Sequence, residues 1–174
     1  MPPTLYLMFG YPGSGKTTAA KAISQTTGAT HLWADHERRR LSKEPTYSPA
    51  ESLALYKAMN SQTAALLADG HSVVFDTSFS YYRDRQNLRD IAAQHNAACL
   101  IIWVKIPLQI AKTRATLDAH LQDTRVLGNM SATDFERLSG CMEPPRPDEK
   151  YLIVDGDKIT NEYISAALNL TAPS

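Results

Sequence analysis

The sequence predicts an α/β fold in three layers: a five-stranded parallel sheet with helices on both faces and a helical lid. Three observations predict it. Short apolar runs alternate along the chain with longer stretches of helical periodicity, the pattern of strands joined by crossover helices. The first apolar run leads straight into the glycine-rich stretch Gly10-Tyr11-Pro12-Gly13-Ser14-Gly15-Lys16-Thr17 and then into an Ala-rich helix. A chain of 174 residues is long enough to bury a core of its own and short enough for one domain, 1–174.

The elements follow in order. Residues 4–10 form the first strand, and the first helix runs from about 15 to 27, with Gly28 placed to end it. Residues 29–34 form the second strand, ending at Asp35, before a basic run and the polar loop 42–49. Ser48-Pro49-Ala50-Glu51 is a helix start, with Ser at the cap, Pro at the first position and Glu at the third. Leu53, Tyr56, Met59, Thr63, Leu66 and Leu67 then recur at helical spacing. Residues 71–76 form the third strand, and a charged helix, 83–95, follows. Residues 98–106 form the most hydrophobic strand, expected to be covered on both faces. Pro107 opens a helix to about 121, and a short helix is expected near 133–141. The Pro-rich turn 143–149, the strand 151–156 and a helix over about 161–170 complete the chain. The core is thus expected over about 4–106 and 150–170, and the lid over about 107–149.

Charge and cysteine content narrow the class. Lys plus Arg and Asp plus Glu are both 18, so there is no basic field of the kind that coats long nucleic acids. Recognition of a single phosphate or a strand end stays open. Cys99 and Cys141 lack metal-ligand spacing and are expected to be reduced thiols of an intracellular protein. No apolar run reaches the length of a membrane span, and no signal peptide precedes the first strand, so a cytoplasmic location and no membrane partner are expected.

The glycine-rich stretch fits G-x-x-x-x-G-K-T in the strand-then-helix setting that confirms such a match. Gly10, Gly13 and Gly15 permit backbone angles and close approaches that a Cβ would block, so successive N–H groups converge on phosphate oxygens. Pro12, Ser14 and Thr18 complete the loop and the first helical turn, whose unpaired N–H groups add positive potential. Lys16 brings a point charge to the β- and γ-phosphates, and the Thr17 hydroxyl sits on Mg²⁺. The expected ligands are ATP and Mg²⁺.

In a sheet of this kind ligands bind beyond the carboxyl ends of the strands, which gathers the loop, Asp35, Asp76 and the segment after Ile106 at one edge. Asp35 there is a candidate base for a substrate hydroxyl, or alternatively a helix-capping residue. Arg38, three residues on, shares a helical face with it and is a candidate for a substrate phosphate or carboxylate; the alternative is a solvated basic face. Asp76 closes an apolar strand in the manner of an acid that holds Mg²⁺ through water, or else caps the Thr77-Ser78 turn. Thr77 and Arg83 are further substrate candidates, whereas Arg85 and Arg89 are read as part of a solvated helix. Arg114 and Arg125 are candidates to close over the phosphates, since an Arg fork meets two oxygens at once. Trp33 and Trp103 are read as core, and the turn 143–149 as bordering the base.

Three stretches in this order, Gly10 to Thr18, then Asp35-His36-Glu37-Arg38, then Val73-Val74-Phe75-Asp76-Thr77-Ser78, resemble the polynucleotide-kinase-like P-loop kinases, compact ATP-binding proteins often labelled as an AAA-type ATPase family. The resemblance covers residues 4–106 and is looser beyond. It implies a general base at Asp35, a substrate-phosphate contact at Arg38, substrate and metal contacts at Asp76 and Thr77, and an ATP contact from Arg114 or Arg125. Ser78 and Phe79 stand where the family commonly has Asn. The expected activity is transfer of the γ-phosphate of ATP to a hydroxyl, in first place the 5′-hydroxyl end of a polynucleotide, with a small metabolite, sugar or antibiotic as the alternative. An ATP-hydrolysing switch and a nucleotide-binding module are the readings from other classes.

Overall fold

The structure, a computed structural model, describes residues 2–42, 44–46, 48–117 and 130–169. Strands β1 (Thr4–Phe9), β2 (Thr30–Trp33), β3 (Val73–Asp76), β4 (Ala98–Lys105) and β5 (Tyr151–Asp155) form one parallel sheet in the order β2-β3-β1-β4-β5. Leu7 stands opposite Phe75 of β3 on one side and Ile101 of β4 on the other, so β1 lies at the centre with its carboxyl end flanked by two others. The helices are α1 (Lys16–Thr27), α2 (Ala34–Leu41), α3 (Pro49–Ala68), α4 (Tyr82–Gln94), α5 (Leu108–Thr116), α6 (Ala132–Gly140) and α7 (Asn161–Asn169).

Strand alternation sorts the core into two layers. Leu5, Leu7 and Phe9 of β1 join Phe75 and Ile101 under α3 and α4, which contribute Leu55, Met59, Leu67, Leu88 and Ala92. Met8 faces the other way with Val74, Ile102 and Val104, against Ala19, Ala20 and Ile23 of α1 and Ile164 of α7. The small alanines let α1 lie close to the sheet, which fixes the loop before it. A third cluster joins Ala111 and Ala115 of α5 to Phe135 of α6, with Tyr11 and Ile106 packed against it. This is the described part of the expected lid, and it rests on the glycine-rich loop itself. Among the described residues no helix is long and apolar enough to cross a membrane.

Several boundaries and faces differ from expectation. The second strand stops at Trp33, and α2 begins with no intervening loop, so Asp35 sits in the first turn of a helix rather than at a strand end. Ser48 caps α3 by accepting from the Glu51 N–H at 3.2 Å. The buried face of α3 is Leu55, Met59, Thr63 and Leu67, and Leu53 is 72% exposed. Trp33 and Trp103 are half-buried rather than core residues. Trp33 stacks with His31 and His36, and Trp103 packs edge-on against Phe9 and Tyr151 under the Lys105 ammonium.

The largest correction is Arg85. It is completely buried and forms a two-pronged ion pair with Glu149, at 2.7 and 2.8 Å, instead of facing solvent. Its remaining N–H groups bind the Phe79 and Glu143 carbonyls. Charge patterning along α4 concealed this, because the partner lies 64 residues away.

Candidate active site

The loop between β1 and α1 has the backbone that its glycines were expected to supply. Gly10, Gly13 and Gly15 have φ of 146°, 78° and 98°, and a Cβ on Gly10 would strike the Val104 carbonyl of β4. Gly15 caps α1 with no side-chain partner, and the first backbone bond into the helix runs from the Ala19 N–H to the Gly15 carbonyl. The N–H groups of Lys16, Thr17 and Thr18 are therefore the orphan donors of a helix N-terminus, aimed out of the loop.

The Lys16 amine donates to the carbonyls of Gly10 and Tyr11, at 3.0 and 2.8 Å, which bends it back over the loop. Desolvation lowers its pKa from 10.5 to about 8, against the opposing pull of the Asp76 and Asp35 carboxylates. Both acids are thus within electrostatic reach of the amine.

Asp76 is 3% exposed at the end of β3, and its Oδ2 is held by His31 Nε2 of the neighbouring strand at 3.0 Å. Beside it, Thr77 Oγ1 shares a hydrogen bond with Tyr56 OH of α3 at 3.1 Å. Asp35 is half-buried on the adjoining wall. A cleft of about 1980 Å³ runs across these strand ends and brings together Pro12, Gly13, Gly15, Lys16, Thr17, Thr18, Asp35, Arg38, Asp76, Thr77, Arg83 and Arg114. Gly10 and Ser14 of the loop do not line the cleft, and the Ser14 hydroxyl is fully buried without a partner.

Arg38 borders the cleft but is only 6% exposed. Its guanidinium is engaged by Glu51 at 2.5 Å and Ser52 at 3.3 Å. Thr46 first, and then Arg38, hold the Glu51 carboxyl down to about 2, so the pair is ionised across the neutral range. The predicted acceptor anchor has its charge met within the protein. Arg114 on α5 is paired with Asp157 at 2.6 Å beside the loop, and Arg125 lies outside the described residues. The turn 143–149 does not border this cleft. Pro144 lines a separate, smaller hollow at the carboxyl ends of β1 and β4, with Trp103 and Met142.

Sequence reasoning missed three contributors. Gly156 touches the loop so closely that a Cβ there would collide with the Ser14 carbonyl, and with Asp157 and Ile159 it lines the cleft. The strand-end rule that selected Asp35 and Asp76 would have selected Asp155-Gly156 too. Lys57 and Asn60 of α3 were hidden because only the apolar positions of that helix were counted, and Tyr56 was counted there for packing alone. His31 carried no local signal at all.

The oxygen donors suit Mg²⁺, which keeps much of its water and takes one or two carboxylates together with substrate phosphates. Thr17 and Asp76 supply such donors. Among the described residues there is no group of three or more His, Cys, Asp or Glu that could hold a metal unaided.

A parallel sheet of this strand order, with a glycine loop delivering a lysine from the end of its central strand, defines the three-layer P-loop fold. The model of the AAA domain family matches residues 5–120, more than half of the chain, and the chain belongs to that family. An uncharacterised protein of Mycobacterium bovis is 33% identical over 106 residues, 54% of this chain and 21% of that protein. Counterparts in two Mycobacterium tuberculosis strains match equally, so the chain spans about a fifth of the length of the curated relatives it matches.

Among solved structures, a putative kinase from Chloroflexus aurantiacus is 18% identical with a TM-score of 0.79, covering 99% of this chain and 100% of that one. The Mycobacterium tuberculosis APS kinase CysC, solved with AMPPNP and APS, is 18% identical with a TM-score of 0.66 and 97% coverage of both chains. A chain of the Pnkp1/Rnl/Hen1 RNA repair complex is 20% identical with a TM-score of 0.66, covering 80% of this chain and 43% of that one. At these identities the likeness establishes the fold.

Proposed function

We propose that the chain transfers the γ-phosphate of ATP, in the presence of Mg²⁺, to a hydroxyl group of a second substrate. The observation that carries this reading is Asp35: a carboxylate on a wall separate from the phosphate loop, within the field of Lys16, at the edge of a cleft with room for two ligands. Single-ligand pockets are typically about 300–1,000 Å³, roughly half of this one or less. A hydrolysing switch needs no second chamber and no base for an alcohol.

The chain's own groups account for the steps. The amides of the loop and of the first turn of α1 receive the phosphates, and Lys16 leaves the Gly10 and Tyr11 carbonyls to meet the β- and γ-oxygens. Asp35 accepts the hydroxyl proton as the acceptor oxygen bonds to the γ-phosphorus and the bond to ADP breaks. His31 restrains one oxygen of Asp76, and the other would be available to the metal's shell. Thr17 and Asp76 would hold Mg²⁺, which neutralises phosphate charge when bound. Arg114, on the helix packed over the loop, would exchange Asp157 for phosphate, and Arg125 belongs to the same expected lid. Transfer depends mainly on placement and charge, and these groups supply both.

For the acceptor, the Asp35 to Arg38 spacing supports a polynucleotide 5′ end. The ion pair of Arg38 with Glu51 and the absence of net charge support a small hydroxylated molecule, and we adopt that second reading. The test is transfer of labelled γ-phosphate to a 5′-hydroxyl oligonucleotide and, separately, to a pool of small hydroxylated metabolites, with Asp35→Asn as control. Label on a metabolite, lost in Asp35→Asn while ATP still binds, is the expected result. Free phosphate alone, released equally by the variant, would replace the kinase with a hydrolysing switch.

A further inference from the structure

Apart from Lys16, the basic side chains that line the cleft are of two kinds. Arg38, Arg114 and Arg137 each face a carboxylate, Glu51, Asp157 and Asp134 respectively, and Arg39 also interacts within the protein. Lys57 and Arg83 line the same cleft, are exposed, and form no ion pair among the described residues. We infer that the acceptor carries an anionic group in addition to its hydroxyl, and that Lys57 and Arg83, rather than Arg38, hold it. The inference rests on the kinase reading only for the identity of the second ligand.

The two cations are placed by independent elements. Tyr56, Lys57 and Asn60 present one polar stripe of α3 to the cleft, and the bond from Tyr56 to Thr77 pins that stripe against the end of β3. Arg83 belongs to the first turn of α4, which the chain enters from the same strand end. Both therefore flank the loop that follows Asp76. Asp84 also borders the cleft, but adjacent residues of a helix point about 100° apart and do not face one another. Asp35 and Asp76 face Lys16 at the reacting end.

An Arg fork and a Lys ammonium on the neighbouring helices α4 and α3 suit a phosphate or a carboxylate, and Asn60, Ser61 and Asn87 add neutral hydrogen-bonding groups in the same cleft wall. The acceptor class that matches is a phosphorylated or carboxylated polyol.

The test is calorimetric binding to the protein loaded with Mg-AMPPNP, using sorbitol, sorbitol 6-phosphate, gluconate and a 5′-hydroxyl oligonucleotide. At least one of the two small anions is expected to bind tenfold or more tightly than sorbitol, with the advantage shrinking as salt rises. The better anion distinguishes phosphate from carboxylate. Lys57→Met with Arg83→Met should erase the advantage, and Lys57→Arg should keep it. Both side chains are exposed, so an unchanged melting temperature verifies folding.

Equal affinity for sorbitol and both anions would overturn the inference, as would an anion preference that survives the double variant, or tighter binding of the oligonucleotide than of either small anion. Anion binding that depends on Lys57 and Arg83 without any label transfer would instead sink the kinase reading and leave this inference standing.

Discussion

Arg85→Met is the substitution whose cost follows most directly from the structure. The Arg85 and Glu149 side chains are both 0% exposed and are joined through two parallel hydrogen bonds. The guanidinium also lies 5.1 Å from the centre of the Phe9 ring and donates to the carbonyls of Phe79 and Glu143. Burial works to raise the Glu149 carboxyl, but Arg85 and the Arg146 N–H hold it below its ordinary value, so it is ionised at neutral pH.

Methionine fills a similar volume without charge. It leaves Glu149 as a lone buried anion and orphans two carbonyls. Removing one partner of a buried pair costs about 3–5 kcal/mol, a large share of the roughly 5–15 kcal/mol that holds a domain folded. Urea unfolding should therefore show a loss of about 4 kcal/mol with an unchanged slope. Arg85→Met with Glu149→Met should regain part of it, because no unpaired charge remains. A single-variant loss under about 1 kcal/mol would refute the reasoning, since exposed pairs contribute that little. The same bonds hold Phe79 in the wall of the cleft, so a weakened acceptor interaction should accompany the loss of stability.

Other outcomes follow from the site. Lys16→Ala should lower transfer by at least about a hundredfold with the fold intact, as measured by single-turnover label transfer, because it removes the charge on the migrating phosphoryl group. The pKa of Lys16 near 8 in the free protein must rise when phosphate replaces the carbonyls around it. ATP binding should accordingly take up a proton above pH 8, and affinity should fall as pH climbs from about 8 toward 10.5; calorimetry in buffers of different ionisation enthalpy reads both. Gly156→Ala forces a methyl group into the Ser14 carbonyl and to within 2.7 Å of Ile106. Displacing the loop by about 1 Å should weaken turnover on the order of a hundredfold, checked beside a melting curve.

Much of the fold was legible because its signals are local. An apolar run, a glycine loop and an Ala-rich helix specify strand, turn and crossover within a few residues of each other. The cap at Ser48 and the terminating Gly28 are likewise written in short range. Boundaries shifted where two elements abut, as at Trp33 and Ala34, because no turn residue separates them. The loop lysine, Thr17, Asp35 and Asp76 were selected by residue type and by the rule that ligands gather at strand ends, and the structure places all four in one cleft. Arg85 was misread, and the Arg38 ion pair was not foreseen, because the carboxylates they meet come from other segments, which helix periodicity cannot report.

The sequence by itself determined the P-loop α/β fold, with an acid closing one strand and another just beyond a second, since each feature depends on residues within one turn or one strand. Only the tertiary structure decided which charges are paired internally and which stand exposed in the cleft. Arg38 and Lys57 are equally basic as letters. One is neutralised by Glu51 under a packed helix, whereas the other stands exposed in the cleft wall. Electrostatic partners are chosen by proximity in space, and proximity exists only once the sheet has brought the segments together.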